Sequence, residues 1–241
     1  MRSLQKAGDV DTVGSGEFTT FALEPSGHYY GINLMCYKDN AGDFAAMTEA
    51  EMIADIDKVT VEINIDGKGN NTILEISPER YFEWLDWYIG EKSSWTLEGV
   101  LPILFTRDKL GILPEEQSLG IGTLNVNRIA VSIKYKTNAG FVCNKITVKR
   151  DIDEDINVNL GTYPVLLMEE REISTAGSKK PLRNLPSNIA GAALLSMHVT
   201  EGSATVEEIA AVKFGSTVLM ENIDATEHDF LAHKAGRSAQ A

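Results

Sequence analysis

Cysteine is scarce in this chain. Cys36 and Cys143 are the only two among 241 residues, so no disulfide framework carries the fold. Both lie in strand-like stretches and read as buried thiols of a chain made in a reducing cytosol, with a disulfide between them as the alternative. Long apolar runs are missing as well. No stretch reaches the roughly 18 residues that span a bilayer, and the opening Met1-Arg2-Ser3-Leu4-Gln5-Lys6 lacks the apolar core of a signal peptide. Basic residues are in deficit: 22 Lys and Arg stand against 35 Asp and Glu, for a net charge of -13 and a pI near 4.8. An acidic surface repels phosphate backbones and anionic lipid, which argues against direct nucleic-acid binding over most of it and favours bound cations.

The patterns that carry chemistry are also absent. The four histidines are His28, His198, His228 and His233. They contain no His-x-His pair of the kind a cupin metal site uses, and neither cysteine has a partner at zinc-ligand spacing. His228 and His233 are spaced poorly for one helix face, so all four read as structural or solvent-exposed. Gly14-Ser15-Gly16 and Gly120-Ile121-Gly122 lack the Gly-Lys-Ser/Thr ending of a phosphate loop and the full dinucleotide fingerprint. No serine sits in a nucleophile elbow, and no carboxylate pair stands out as glycosidase-like. Asn70-Asn71-Thr72 is a glycosylation sequon only in a secreted chain. The expectation is a protein that is not an enzyme.

What the sequence does contain is short alternating strands. Phe18 to Leu23 breaks at Pro25-Ser26-Gly27, and Tyr29 to Tyr37 follows. Val59 to Ile65 alternates strictly, apolar then polar, and stops at Asp66-Gly67, the period of a half-buried strand ending in a turn. Further strands are expected at Gly99 to Phe105, Val126 to Tyr135, Phe141 to Val148, Tyr163 to Met168, Ala192 to Val199 and Ile209 to Phe214. Many short strands with turn signals between them point to sandwiches or barrels. Two helices interrupt the first half. In the first, Thr48 and Glu51 form a capping box, Met47 staples onto Met52, and the helix runs to about Ile56. The second has Ser77 as N-cap, Pro78 in the first turn and Gly90 past its end. Its stripe of Tyr81, Phe82, Trp84, Leu85, Tyr88 and Ile89 predicts packing on the first sandwich, with an aromatic ligand platform as the alternative. A third helix is expected to begin at Glu221.

The run Asp151-Ile152-Asp153-Glu154-Asp155 reads as a linker. Asp151, Asp153, Asp155, Asn157 and Asn159 fall at alternate positions, a spacing at which oxygen ligands can chelate calcium, although the glycine and terminal Glu of an EF-hand are missing. Two readings stand: a solvated acidic linker, or a loose calcium site at Asp151, Asp153 and Asp155. The length suits one large all-β domain, or two domains of about 100–150 residues each. They are expected as an N-terminal arm over 1–14, a first sandwich over 15–150, a linker over 151–161 and a second sandwich over 162–241. A basic loop, Lys179 to Pro186, lies in the last of these.

Several of these stretches resemble the major capsid proteins of corticovirus type, from membrane-containing bacterial viruses. Glu98 to Arg107 resembles the strand and exit of their first jelly roll. Leu119 to Thr123, leading into Ile129 to Tyr135, is similar to the next strand. Met47 to Ile56 followed by Val59 to Gly67 resembles their helix-to-strand unit, and Asn184-Leu185-Pro186 with Leu195 to Val199 looks like entry into the second roll. The resemblance covers roughly residues 15 to 220 and consists of patterns of strand, turn and helix. It implies an all-β chain with short helical insertions, folded as two tandem jelly-roll β-sandwiches (a double jelly roll). It also implies a trimer of hexagonal outline that tiles an icosahedral shell. The family's second roll needs further strands after the helix expected at Glu221, so this roll is either completed differently or incomplete.

The expected function is therefore a major capsid protein of a virion, made in the host cytoplasm. Its partners would be itself, other virion proteins, and an internal membrane reached through minor proteins. No cofactor is required, and calcium at the loose site of Asp151, Asp153 and Asp155 is the one candidate. The alternative is a carbohydrate-binding or adhesin-like β-sandwich, for which Trp84, Trp87 and Trp95 are the candidate contact residues.

Overall fold

The computed structural model describes residues 2–89, 98–105, 120–161, 163, 165–167, 208–214 and 217–224. In chain order the elements are β1 (Arg2–Val10), β2 (Phe18–Leu23), β3 (His28–Asn40), β4 (Asp43–Ala46), α1 (Glu49–Asp55), β5 (Ile56–Ile65) and β6 (Gly69–Ile76). These are followed by α2 (Pro78–Ile89), β7 (Val100–Leu104), β8 (Ile121–Gly122), β9 (Val126–Tyr135), β10 (Cys143–Asp153), β11 (Leu166–Leu167), β12 (Glu208–Phe214) and β13 (Thr217–Asp224).

Two sheets form the first unit, which spans 1–79 and 96–168. One has the order β1-β10-β3, and the far edge of the long β3 is shared end to end by β8, β7 and β4. The other has the order β11-β6-β5-β9-β2. The pairings are nested, β1 with β10 and β2 with β9, then β3 with β10 and β5 with β9. The chain passes between the sheets from β1 to β2, β2 to β3, β4 to β5, β6 to β7, β8 to β9, β9 to β10 and β10 to β11. Eight of these eleven strands, β1-β10-β3-β7 in one sheet and β2-β9-β5-β6 in the other, wound this way make a jelly roll.

The local reasons are legible in the residues. In β5, Val59, Val61, Ile63 and Ile65 are buried while Thr60, Glu62 and Asn64 are partly exposed. In β3 the ladder skips Tyr30 between Asp151 and Ile152, and this bulge leaves Tyr29 and Ile32 both fully buried. Thr48 caps α1 as expected. Its hydroxyl accepts from the Glu51 N–H at 3.3 Å and its own N–H donates to the Glu51 carboxylate at 2.7 Å. Met47 and Met52 are fully buried, and Lys38 of β3 holds Glu51 at 2.5 Å.

Several expectations are corrected. The arm over 1–14 contains β1, a full strand over residues 2–10. Its polar residues on both sides hide the alternation. The linker expected at 151–161 begins too early. Asp151 to Asp153 complete β10, with Ile152 wholly buried between the two acids, and the strand ends before Glu154. The strand expected at Tyr163 to Met168 shortens to β11, which pairs parallel with Leu74 and Glu75 of β6 and so belongs to the first unit. From Arg80 onward α2 groups with the second unit and not with the first sandwich, and Trp84 is only half-buried beside Tyr81. The helix expected at Glu221 is strand β13 through Asp224.

The second unit spans 80–95 and 169–241, and its described part holds α2 and the antiparallel pair β12–β13. The strand expected at Ala192 to Val199 and the basic loop at Lys179 to Pro186 lie outside the described residues.

Candidate assembly surface

The sequence-chosen site residues do not converge on a catalytic or metal centre. Asp151 projects from β10 toward β1, where Arg2 grips it with two hydrogen bonds, Nε to Oδ1 at 2.9 Å and Nη2 to Oδ2 at 2.6 Å. Asp153 accepts the backbone N–H of Asp155 at 3.1 Å, closing the turn after the strand. Among the described residues no group of three or more His, Cys, Asp or Glu side chains is placed to hold one ion. His28 is buried and stacks edge-on against Tyr30 at 5.0 Å. His198, His228 and His233 lie outside the described residues. Cys36 and Cys143 are free, buried thiols. Burial pushes both upward, Cys143 to about 12, so neither is a nucleophile at neutral pH.

Two buried polar knots, both unanticipated from sequence, fix the ends of the roll. At the end where β3 begins, Arg150 of β10 lies inside the sandwich. It donates to Ser26 Oγ at 2.9 Å, Gln5 Oε1 at 3.0 Å, the Glu24 carbonyl at 3.3 Å and the Tyr29 hydroxyl at 3.4 Å. The Tyr29 hydroxyl in turn donates to the Glu24 carbonyl. Burial raises the phenol above its usual range, against the lowering influence of Arg150. The carboxylates of Glu154 and Glu24 stand 3.7 and 4.0 Å from the guanidinium, so this buried cation is neither uncompensated nor without acceptors. At the opposite end Asp55 is buried and accepts from Val142 N–H and Cys143 N–H, each at 2.8 Å, and from Asn138 Nδ2 at 3.2 Å. No spacing rule in the sequence joins residues so far apart, and only the nested pairing brings them together.

The segment leaving β10 is clamped across the same end as Arg150. The Leu124 N–H donates to the Val158 carbonyl at 3.1 Å, and Leu160 N–H to Asn125 Oδ1 at 2.6 Å. A Cβ on Gly122 would strike the carbonyls of Val158 and Asn159, so only glycine permits this approach.

Outside these knots, the large apolar side chains that remain exposed among the described residues gather at the two ends of the roll. Leu4, Leu124 and Val158 stand near the start of β3, and Phe18, Phe44 and Val142 near its finish. The second sheet's outer face carries Thr20 against Ser132 at 2.9 Å in its middle and Asn64 against Asn70 at 2.6 Å beside the β5–β6 turn instead. Such apolar positions, on ends and edges with a small polar face between them, suit contacts with other protein surfaces better than a buried small-molecule site. Among the described residues no helix is long and apolar enough to cross a membrane.

No family model matches the sequence, and no curated protein matches it. A solved structure does match in shape: the major capsid protein P2 from bacteriophage PM2. The match has a TM-score of 0.57 and 14% sequence identity, and covers 100% of this chain and 80% of that one. At that identity the likeness speaks for fold. This chain shares the all-β, jelly-roll-based fold of a bacteriophage major capsid protein along its whole length.

Proposed function

We propose that this chain is a coat protein that assembles with copies of itself into a viral shell. The observation that carries the reading is the whole-chain structural match to a phage major capsid protein, together with the complete nesting of eight strands in the first unit. The role is structural and the product is a component of the virion. Trimers of pseudo-hexagonal outline, six similar lobes to a ring, are the assembly unit the proposal carries. Other virion proteins and an internal membrane are its further neighbours. Calcium at Asp151, Asp153 and Asp155 is not part of the proposal, because Arg2 already neutralises Asp151 and no three ligands come together there.

The test is the native mass of purified protein by sedimentation and electron microscopy. A stable trimer, or larger closed particles, supports the coat-protein reading, and a monomer under every condition of salt and concentration rejects it. The binding-module alternative gains nothing from the structure. Trp84 is half-buried on α2, and Trp87 and Trp95 offer no described side chain.

A further inference from the structure

Strand β1 differs from every other long strand of the roll. Not one of its nine residues is buried, whereas β10 beside it buries Cys143, Ile146, Thr147, Val148, Arg150 and Ile152. Half-exposed Ser3, Gln5 and Ala7 alternate with exposed Arg2, Leu4 and Lys6. β1 is therefore held by its backbone ladder and by polar links, with little help from the hydrophobic effect. The ladder runs from Arg2 opposite Asp153 to Val10 opposite Ile146 and is interrupted by a register shift between Lys6 and Gly8. The links include Arg2 to Asp151 and over the Tyr30 ring, Gln5 to Arg150, and Lys145 to Asp11 and Asp9. Ion pairs with one partner well exposed, as Arg2 and Asp11 are, contribute modestly and are screened by salt.

The strand beneath cannot stay bare. With β1 gone, β10 would present an unpaired backbone edge and Arg150 would lose its Gln5 acceptor. The replacement is specified chemically: an arginine opposite Asp153 whose side chain reaches Asp151, an amide three residues later for Arg150, and acids further on for Lys145. That sequence is β1 itself. The chain is anchored again just after the strand, where Val13 is buried and Gly16 N–H donates to the Lys136 carbonyl at 3.2 Å. Asp11 and Thr12 are therefore the natural hinge.

We infer that β1 is an exchangeable strand, which leaves its own β10 readily and pairs in the same register with β10 of a second copy of this chain. The same hydrogen bonds and ion pairs form in the exchanged state as in the closed one, so the exchange is nearly balanced and concentration decides it. In the crowded lattice of a shell, the inference adds to the proposed coat function a reciprocal tie between neighbouring subunits. It rests on that reading only for its setting.

Leu4 and Asp151 stand opposite one another across the two strands, which gives the test. Leu4→Cys and Asp151→Cys are prepared as separate full-length proteins, mixed at high concentration and mildly oxidised. Linked peptides are then identified by mass. A cross-link between residues 4 and 151 must then join two chains. The double variant L4C/D151C, which can link within one chain, shows that the geometry permits the bond. Amide hydrogen exchange supplies the second readout, with β1 amides expected to exchange on the order of 100-fold faster than those of the β3–β10 ladder. Inter-chain 4–151 cross-links together with fast β1 exchange support the inference. Absence of that cross-link in the mixture, or β1 amides as protected as those of β3, overturns it. Neither readout needs a shell to form, so failure of the coat-protein reading would appear separately, as absence of large particles while the cross-link persisted.

Discussion

Removing the Asp55 carboxylate tests whether a single buried group organises one end of the roll. Asp55 is the last residue of α1, where a negative charge opposes the helix dipole, so its presence asks for another explanation. The structure supplies one in the three donors it accepts, two of them backbone N–H groups at the start of β10. In Asp55→Ala the Val142 N–H can turn to water, since Val142 is 37% exposed, but Cys143 is buried and its N–H cannot. One stranded donor costs about 1–3 kcal/mol and the lost charge-assisted bonds add to it, giving a total of about 2–4 kcal/mol. Asp55→Asn keeps one acceptor oxygen and should cost about 1–2 kcal/mol. For a unit of this size each kcal/mol lowers Tm by about 2–4 °C, so Asp55→Ala should melt about 5–15 °C early and Asp55→Asn roughly half as much. Thermal melts followed by circular dichroism, with urea titrations in parallel, measure both. A Tm for Asp55→Ala within about 1 °C of the unaltered protein, or Asp55→Asn as damaging as Asp55→Ala, would refute the reasoning.

Three further outcomes are expected. Gly122→Ala should lower the melting temperature because its new methyl meets the Val158 and Asn159 carbonyls, whereas Gly67→Ala, with open space around it, suffers only from its positive φ; equal losses in the two would remove the clamp from the account. Cys36 and Cys143 should resist a thiol reagent in the folded protein at pH 8 and react fully in urea, since burial raises both thiols; rapid labelling without denaturant would contradict that burial. Glu51 titrates below the usual carboxylate range, first because of its hydrogen bond from Lys38 and then that from Thr48 N–H. Its stabilising contribution is therefore present above the ordinary Glu range and is lost as pH falls through its depressed value. Glu51→Gln should flatten the acid side of a stability-against-pH curve while changing little below it, and an unchanged acid limb would remove Glu51 from that role.

How much of this fold the sequence disclosed depends on where each strand keeps its apolar residues. β2 and β9 match their expected bounds, Phe18–Leu23 and Val126–Tyr135, because one side of each is apolar and the other polar. The capping box on α1 was readable for a similar reason, since its two partners are three residues apart. β1 was hidden because it buries nothing. β6 was hidden because it opens as Gly69-Asn70-Asn71-Thr72, turn chemistry at the level of residue type, and shows its apolar side only at Ile73, Leu74 and Ile76. Alternation reports that a strand is half-buried but not which strand lies beside it. Arg150 could not be linked to Gln5, Ser26 and Tyr29, nor Asp55 to Cys143, before the pairing was known.

The nesting also explains why those polar knots lie at the ends. In a sandwich whose two sheets close on each other, the middle of the interior has no backbone groups to spare, because every strand there is paired on its buried length. Donors and acceptors fall free only where strands stop and the chain turns to the other sheet. Arg150 gathers the turn between β2 and β3, and Asp55 gathers the turn between β9 and β10. Both are charged groups serving backbone that the ladders cannot reach. At the Arg150 end the outgoing segment is bound by Asn125 and pressed against Gly122, then reaches the open edge of β6 as β11. The chain therefore enters the roll on an edge strand, β1, and leaves it by covering the edge strand of the opposite sheet. The β6 edge, which the strand order would otherwise leave open, is thus partly closed from within by β11.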